Sequence, residues 1–241
     1  MINLNFADVA VDSYLDGKAF SENISFDYSF KRPVEDRTTI LSRLAKGKRI
    51  LHIGCCDHVP LIAEKISTGT WLHGMLTELS SHCVGIDIDV AAVKAARTIS
   101  KLDNIFAGDI TNIKKIPTIF ESHFDLAVFG EVLEHIGDPV SFLGSFVKLY
   151  RDNVDEVVVT VPNAFRAGNI RNIFRSRETI NSDHRFFFTP YTLSKVAFDA
   201  GLKKTSVETA RFSHAGFLKR FILNKFPLLA EDLVFIGRPL Q

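Results

Sequence analysis

The sequence is poor in cysteine and has no surplus of charge of either sign. Its 241 residues include three cysteines, Cys55, Cys56 and Cys83. Two are adjacent, a spacing that rarely allows a bridge, and no Cys-x-x-Cys pair is present for zinc. Lysine and arginine total 29 against 28 acidic residues. These counts favour reduced thiols in a cytoplasmic protein and give no general argument for a nucleic-acid partner.

Long apolar runs and targeting signals are also missing. No apolar run is long enough to span a membrane. The N-terminus, MINLNFADVAVDSYLDGKAF, carries acidic residues and has no basic flank leading into an apolar run, so no signal peptide is expected. Internal repeats, low-complexity tracts and linkers are absent too. We therefore expect one domain over 1–241, with an N-terminal arm at about 1–34 and inserts at 163–188 and 211–230.

Short apolar runs alternate with helical patterns along the chain. The predicted helices are VAAVKAARTISKL (90–102), PVSFLGSFVKLY (139–150) and TPYTLSKVAFDAGL (189–202). The predicted strands are RILHI (49–53), CVGIDI (83–88), NIFAG (104–108), FDLAVFG (124–130), EVVVTVP (156–162), KKTSVETA (203–210) and DLVFIGRP (232–239). This alternation predicts an α/β fold with a doubly wound, mostly parallel, seven-stranded sheet.

Three predicted strands end in residues that suit a nucleotide-type cofactor. Gly54 follows the first strand, where the lack of a β-carbon lets the backbone approach a ligand. Asp87 ends the second strand, where its carboxylate can accept both hydroxyls of a ribose, a chemistry shared by NAD and adenosyl sites. Asp109 follows the third strand and can reach an adenine edge. Together these positions predict a cofactor cleft at the carboxyl end of the sheet.

Four motifs in sequence order resemble those of class I S-adenosylmethionine-dependent methyltransferases: RILHIGCCDH, VGIDID, AGDI and FDLAVFGEVLEHIGDP. The resemblance covers residues 48–162, and VPNAF and DHRFFFTPYTL extend it to small-molecule members, including relatives linked to polysaccharide or quinone biosynthesis. It implies a Rossmann-like fold with an antiparallel last strand and S-adenosylmethionine as cofactor. It also implies cofactor contacts from Gly54, Cys55, His58, Asp87, Ile88, Asp109, Ile110 and Gly130.

The first loop departs from the family's acid-x-Gly-x-Gly-x-Gly pattern. Where this pattern has its acid and its three glycines, the sequence has His52, Gly54, Cys56 and His58. If the lost glycines had positive φ, a larger residue would cost about 1–3 kcal/mol at each position. Histidine tolerates the left-handed region better than most residues, so Cys56 is the larger concern. The plainer interpretation makes His52 a satisfied strand-end histidine and the cysteines small core residues.

Two histidines are candidate general bases at the acceptor end of the site. His135 follows the fourth strand and His184 lies in the insert after the fifth, and an ordinary pKa of about 6.5 suits proton removal near neutral pH. Glu131 is a third candidate catalytic residue. Glu131, Glu134 and His135 have the spacing of one helix face, which leaves open a magnesium site or a solvated helix start. Magnesium prefers oxygen ligands, so we favour a catalytic base and predict no metal.

Both inserts are rich in basic and aromatic residues. Arginine forks in FRAGNIRNIFRSRE suit a phosphate or carboxylate on an anionic acceptor. Helical spacing equally predicts that Ile170, Ile173 and Phe174 pack inward while most of the arginines, at positions 166, 171, 175 and 177, are solvated. The phenylalanine-rich RFSHAGFLKRFILNKFPLLAED is expected to fill the core, to cap the acceptor pocket or to form a dimer interface.

These features predict S-adenosylmethionine-dependent methyl transfer to a small molecule, on an oxygen of a sugar, a phosphorylated compound or another polysaccharide-related intermediate. One alternative is a non-catalytic binding subunit that keeps the fold but has lost the loop glycines. Another is a nicotinamide-dependent dehydrogenase, which the missing G-x-G-x-x-G disfavours. A nucleic-acid methyltransferase is disfavoured by the neutral charge.

Overall fold

Strands and helices alternate in the computed structural model, which describes residues 5–6, 11–25, 28–29, 33–112, 122–212 and 216–240. The strands are β1 Asn5–Phe6, β2 Tyr28–Ser29, β3 Glu35–Asp36, β4 Arg49–Ile53, β5 His82–Asp87, β6 Ile105–Ala107, β7 Phe124–Gly130, β8 Val154–Pro162, β9 Leu202–Arg211 and β10 Asp232–Pro239. The helices are α1 Val11–Leu15, α2 Arg37–Ala45, α3 Val59–Ser67, α4 Leu72–Leu79, α5 Val90–Ser100, α6 Pro139–Tyr150, α7 Ala167–Ile173, α8 Pro190–Asp199 and α9 Phe217–Lys225.

The main sheet has the strand order β3-β9-β10-β8-β7-β4-β5-β6, and β1 and β2 form a separate antiparallel pair. Neighbouring strands from β8 to β6 are parallel, whereas β10 runs antiparallel to both β8 and β9. The chain winds outward in both directions from β4, so the strand order reverses between β4 and β7. This arrangement confirms the predicted doubly wound, mostly parallel fold with an antiparallel last strand.

The sheet has eight strands rather than the predicted seven. The additional strand, β3, comes from the end of the N-terminal arm and pairs in parallel with the end of β9. The Arg211 guanidinium holds it there through an ion pair with Asp36, Nε to Oδ1 3.0 Å, and a hydrogen bond to the Val34 carbonyl oxygen. Two residues give no strand pattern in a sequence, which is why the prediction missed β3.

Helices cover both faces of the sheet, and the strand residues alternate between two apolar cores. Val157 and Val159 of β8 pack in a core that includes Phe146 and Leu193 of α6 and α8. Val158 packs on the opposite face in the core that includes Leu41 of α2. Both faces are therefore buried, which explains why the central strands are apolar runs without polar alternation. No helix in the described ranges is long and apolar enough to cross a membrane.

Both inserts leave the sheet at the same edge. Asp232 at the start of β10 pairs with Pro162 at the end of β8, so the segment after β8 and the segment before β10 begin side by side. The buried Asn163 joins them: its Nδ2 donates to the carbonyl oxygens of Leu228 and Ala230, both at 2.8 Å, and its Oδ1 accepts from the Phe165 N–H at 3.0 Å. One side chain thus connects the two inserts.

The insert 163–188 corrects one packing prediction. Ile173 and Phe174 were expected to pack inward, but they are 72% and 85% exposed, and Ile170 is exposed as well. The buried residue of α7 is instead Asn172. The helix ends at Ile173, and Ser176 then takes a positive φ of 48°, so the helical spacing does not continue far enough to form an apolar face.

Replacing Asn163 tests its role in joining the inserts. We expect Asn163→Ala to lower the free energy of unfolding by about 2–4 kcal/mol, because it leaves two buried carbonyl oxygens and one amide without partners. Asn163→Asp keeps the acceptor but loses both donated bonds, so it should be destabilising too. The exposed Asn23→Ala serves as the control. Denaturant unfolding measures all three, and equal stability of Asn163→Ala and Asn23→Ala would contradict the assignment.

Candidate active site

A cleft of about 900 Å³ opens at the carboxyl ends of β4, β5 and β7. This volume lies in the upper range of pockets for small molecules and cofactors. Gly54, Asp87 and Gly130 contribute to the lining at the strand ends, and Glu131, His135 and His184 contribute from the segments after β7 and β8. We call the first group the cofactor end and the second the acceptor end, after the roles predicted for them. The structure therefore brings most of the predicted cofactor residues and all three predicted catalytic residues into one cavity.

The loop after β4 is attached to the end of β5 by three consecutive backbone N–H groups. The N–H groups of Gly54 and Cys55 donate to the Ile86 carbonyl oxygen at 2.9 and 3.3 Å. The next N–H, that of Cys56, donates to Oδ2 of Asp87 at 2.9 Å. This attachment places the loop and the predicted ribose carboxylate side by side.

The Asp87 carboxylate is held by backbone groups on both oxygens. Oδ1 accepts from the Asp89 N–H at 3.0 Å, while Oδ2 accepts from Cys56. Burial raises the pKa of Asp87, and these N–H groups act in the opposite direction by stabilising the charged form. Each carboxylate oxygen can accept a second hydrogen bond, so hydroxyl donors from the cleft can still bind.

Gly54 is the one glycine of the motif that the loop geometry requires. Its φ is +66°, and a β-carbon there would lie 2.5 Å from Cγ2 of Val132. Cys56 and His58 do not have positive φ; the φ of His58 is −54°. The strain considered for Cys56 is therefore absent, because the positions that lost glycine have backbone conformations open to any residue.

The remaining predicted cofactor residues differ in their placement. Ile88 and His58 are exposed at the cleft, with His58 Nε2 3.6 Å from Asp183 Oδ2, and the buried Cys55 also contributes to the lining. A β-carbon on Gly130 would lie 2.6 Å from Cδ2 of Leu72, so a larger residue there would require the Leu72 side chain to move.

Asp109 and Ile110 lie outside the set of described residues that line the cleft. Asp109 Oδ1 instead accepts hydrogen bonds from the N–H and the hydroxyl of Thr111 at 2.9 and 2.7 Å, and Ile110 is buried. The structure thus gives Asp109 a local turn-forming role. An adenine contact from either residue stays a prediction.

A buried histidine pair lies beneath the cofactor end of the cleft. His52 Nδ1 is 3.2 Å from His73 Nδ1, and the rings stack with their centroids 5.4 Å apart. Burial lowers the pKa of both residues, that of His73 to about 4 and that of His52 well below its usual range. Both imidazoles are therefore neutral at physiological pH, and one Nδ1 must donate to the other.

The hydrogen bonds of Asn104 determine which ring nitrogens of His52 and His73 are protonated. Its Nδ2 donates to Thr77 Oγ1 at 3.2 Å and to the Cys83 carbonyl oxygen at 3.0 Å, so its Oδ1 faces His73 Nε2 at 3.4 Å as an acceptor. His73 then carries its proton on Nε2 and accepts from His52 at Nδ1. His52 Nε2 is left as a buried acceptor close to Gly130, with no hydrogen-bond partner in the part of the chain that the structure describes.

At the other end of the cleft, Glu131 belongs to an ion-pair network. Its Oε1 lies 2.9 Å from Arg37 Nη1 and accepts a hydrogen bond from the Thr160 hydroxyl at 2.9 Å. Arg37 Nη1 also lies 3.6 Å from Oδ2 of the buried Asp232. Burial lowers the pKa of Arg37, but Glu131 and Asp232 outweigh burial and raise it. Glu131 is therefore oriented by Arg37 and Thr160.

Glu134, His135 and His184 form the wall beside this network. The two imidazole rings meet edge to face with centroids 4.7 Å apart, and His184 Nε2 lies 4.0 Å from Oε1 of Glu134. Glu134 is fully buried, and neither of its carboxyl oxygens has a hydrogen-bond partner among the described residues. Burial, together with the charge of Glu131, raises the pKa of Glu134 to about 9. Glu134 is thus a neutral acid at physiological pH, and the wall carries no negative charge.

The structure corrects the expected helix face of Glu131, Glu134 and His135. The helical turn spans only Leu133–His135, and Glu131 precedes it with a φ of +57°. The side chain of Glu131 therefore pairs with Arg37 instead of joining the other two. The ligand atoms of Glu134, His135 and His184 instead lie within 4.8 Å of one another, as do those of Cys55, Cys56 and Asp87 in the first loop.

Cationic side chains complete the acceptor end. Arg166 lines the cleft, donates to Asn169 Oδ1 at 2.9 Å and lies over the Phe187 ring. Arg185 lines the cleft as well, and its guanidinium has no carboxylate within ion-pair distance among the described residues. The other three arginines of the insert, at positions 171, 175 and 177, are exposed to solvent as predicted.

A family model described as a methyltransferase domain matches residues 27–207, three quarters of the sequence. The chain belongs to the methyltransferase domain family. This confirms the class I S-adenosylmethionine-dependent resemblance drawn from the four motifs. It also removes the nicotinamide-dependent dehydrogenase from consideration.

Individual relatives of this methyltransferase-domain protein are distant. It is 25% identical over 171 residues to a ubiquinone biosynthesis O-methyltransferase from Psychrobacter arcticus, a match covering 67% of this chain and 61% of that relative. The matched part is thus less than two thirds of the relative's length, so the relative's activity does not transfer directly.

Solved structures share the fold at low identity. Magnesium protoporphyrin IX methyltransferase from Synechocystis, with bound S-adenosylhomocysteine, aligns with a TM-score of 0.54 and 10% identity over 83% of this chain and 81% of that one. An N-methyltransferase from Bradyrhizobium japonicum in complex with S-adenosylhomocysteine gives 0.50 and 17% over 85% and 86%. At this identity the likeness shows the fold alone.

Several site residues were not found from the sequence. Arg37 begins α2 directly after the N-terminal arm, and His73 belongs to α4, so neither lies at a predicted strand end. Asp232 had a usable signal: it is the first residue of the predicted last strand, and an antiparallel last strand starts at the ligand edge of the sheet. Glu134 was noticed for its spacing, but its burial was not predicted.

The histidine pair predicts how stability depends on pH. The unfolded state binds protons on these histidines below pH 6.5 while the folded state keeps them neutral, so stability should fall as pH drops from about 6.5 to 4. For His73 alone the full effect is about 3 kcal/mol. We expect His73→Gln, which does not titrate, to flatten this slope. Urea unfolding across the pH range measures it, with the exposed His82→Gln as control; identical slopes for both variants would refute the pairing.

Proposed function

We propose that this protein transfers a methyl group from S-adenosylmethionine to an oxygen of a small, anionic acceptor, such as a nucleotide-linked sugar or a phosphorylated intermediate of polysaccharide synthesis. The observation that carries the proposal is the layout of one cleft. Its cofactor end has the Asp87 carboxylate, and its other end has the neutral His184 beside His135. The relative from Psychrobacter arcticus, an O-methyltransferase by name, supports oxygen as the acceptor atom.

The residues at the cofactor end fit an adenosyl ligand. Gly54 and Gly130 line the cleft without side chains, where a β-carbon would collide with Val132 or Leu72. In this proposal Asp87 accepts the ribose hydroxyls, since each of its oxygens can take a second hydrogen bond. Because the loop needs no glycine at positions 56 and 58, the lost glycines give no reason to prefer the non-catalytic subunit.

The acceptor end suits removal of a proton from a hydroxyl. The bound cofactor supplies an electrophilic methyl group on a sulfonium centre. His184 is assigned as the general base: burial and the neighbouring His135 lower its pKa, so the imidazole is neutral at physiological pH and can take the hydroxyl proton as the oxygen–carbon bond forms. His135 packs against the ring of His184 and orients it. The enzyme's remaining task is alignment of the reacting groups, which can supply roughly 7–11 kcal/mol.

Arginine favours a negatively charged acceptor. Arg185 has no carboxylate partner in the described part of the chain, and Arg166 faces the same cavity. Guanidinium groups bind phosphate and carboxylate oxygens in a forked geometry. Arg37, by contrast, is already committed to Glu131 and Asp232. We therefore assign the recognition of the acceptor's anionic group to Arg166 and Arg185.

Calorimetric titration with S-adenosylmethionine and S-adenosylhomocysteine tests the cofactor end. We expect wild type to bind both ligands and Asp87→Ala to weaken binding by about 10- to 100-fold, since hydrogen bonds to a charged group contribute about 1.5–3 kcal/mol. Asp87→Asn keeps an oxygen for the Cys56 N–H and should lose less. The exposed Asp103→Ala is the control. If wild type bound neither ligand, the non-catalytic subunit would be the better interpretation.

Replacing His184 tests the base. With nucleotide-linked sugars as acceptors and S-adenosylhomocysteine release as the readout, His184→Ala should lower kcat by about 10²–10⁴-fold while leaving cofactor affinity unchanged. Because the pKa of His184 is lowered, wild-type kcat should be constant near neutral pH and fall as His184 becomes protonated under acidic conditions. His82→Ala, at the opposite edge of the sheet, is the control. A normal rate in His184→Ala with loss in His135→Ala would reassign the base.

A further inference from the structure

Helix α9 presents an apolar stripe to solvent. Phe217, Leu218, Phe221 and Ile222 are between 40% and 89% exposed, with Phe217 the most exposed. At 100° per residue these four side chains fall on one side of the helix. We name them the helix patch. Single exposed apolar residues are common, but a contiguous stripe with two aromatic rings marks an interaction surface.

The exposure of this stripe is not a sign of a helix without packing. Leu223, on another side of α9, is buried against Val34 and Ala230, and the Asn224 side chain accepts a hydrogen bond from the Val34 N–H at 2.9 Å. Lys219 forms an ion pair with Glu231. The helix is thus fixed to the protein by one side while the helix patch points away from it.

Basic residues border the helix patch, although two basic residues of the same insert, Lys219 and Arg211, are ion-paired with Glu231 and Asp36. The insert 211–230 contains four basic residues and no acidic residue. Arg220 and Lys225 are both exposed, and Lys225 lies over the ring of the neighbouring Phe226. An apolar face of phenylalanine and leucine with basic residues beside it is the pattern of helices that lie in a membrane interface.

The insert 163–188 repeats this composition at the same edge of the sheet. It exposes Ile173 and Phe174 next to the exposed Arg171 and Arg175. With five arginines and two acidic residues it is net positive, like the other insert, although the whole chain has a net charge of only +1. Basic charge is therefore concentrated in the two segments that begin beside the cleft, and the rest of the chain is net negative.

We propose that the helix patch docks on an anionic lipid bilayer, with Arg220 and Lys225 contacting lipid headgroups and the aromatic side chains entering the interface. A negatively charged surface complements the basic inserts, and each basic residue near such a surface adds to the attraction. The exposed Ile173 and Phe174 supply a second contact from the other insert. This surface goes beyond methyl transfer: it places the cleft, which begins at the same sheet edge, next to the bilayer.

Two other occupants fit the surface less well. A two-fold dimer through the helix patch would place the basic residues of one copy against the same residues of the other, which costs electrostatic energy. Single-stranded nucleic acid would use aromatic rings to stack on bases. The patch includes Leu218 and Ile222, which offer no stacking surface, alongside its two phenylalanines. A bilayer accepts aliphatic and aromatic side chains equally.

Vesicle co-sedimentation of the full chain tests the proposal. Wild type should pellet with vesicles made of roughly equal parts phosphatidylcholine and phosphatidylglycerol and much less with phosphatidylcholine alone, because phosphatidylcholine has no net charge to attract the basic residues. Phe217→Ser combined with Phe221→Ser should weaken binding at least about tenfold. Phe20→Ser is the matched control, since Phe20 is 86% exposed but lies outside both inserts.

The contribution of the basic residues to vesicle binding is tested with a matched pair of double variants. Arg220→Gln with Lys225→Gln should weaken binding to the anionic vesicles roughly tenfold, whereas Lys46→Gln with Lys94→Gln removes the same charge elsewhere and should have little effect. Thermal unfolding and S-adenosylhomocysteine titration confirm that the variants are folded. The proposal would be overturned if wild type did not pellet or if all variants pelleted equally. It would also be overturned if wild type bound a single-stranded oligonucleotide more tightly, or if it formed a dimer that the phenylalanine variants dissociate. None of these outcomes depends on methyl transfer.

Discussion

The attachment of the first loop to the end of β5 is the constraint on which the cofactor end depends. Three successive N–H groups, from Gly54 to Cys56, donate to the Ile86 carbonyl oxygen and the Asp87 carboxylate. In such a loop the backbone amides fix the position of the chain. The identity of a side chain matters only where it would collide with a neighbour or where the backbone has a positive φ. Gly54 is such a position, whereas positions 56 and 58 are not. The glycine-poor HIGCCDH is therefore compatible with a working cofactor loop.

The parts of the fold that follow from local pattern were predictable from the sequence. Each central strand is an apolar run buried on both faces. The helices α6 and α8 each begin with a proline that follows an N-capping side chain, Asp138 in α6 and Thr189 in α8. The order of such elements allows few topologies, so the sheet and the place of Asp87 followed. The two-residue strand β3 did not follow, because it exists only through a contact between the arm and Arg211.

The charge states of the site residues could not be predicted from the sequence, because they too depend on contacts between distant positions. Whether Glu131 acts as a free carboxylate depends on Arg37, which is 94 positions away, and whether His52 donates or accepts depends on His73 and Asn104. Glu134 and Glu131 are the same residue type and differ in their surroundings. Burial keeps Glu134 neutral, whereas Glu131 forms an ion pair with Arg37. Spacing predicts which residues are near in the chain, but only packing decides which of them are charged.

The two ends of the cleft use burial in the same way for different purposes. Beneath the cofactor end, burial keeps His52 and His73 neutral; at the acceptor end it keeps Glu134 protonated beside His184. A charged Glu134 would stabilise protonated His184 and raise its pKa, which would weaken it as a base at neutral pH. The neutral acid leaves the imidazole free to accept a proton. The anionic acceptor that we propose for Arg166 and Arg185 would then meet no negative charge from Glu134.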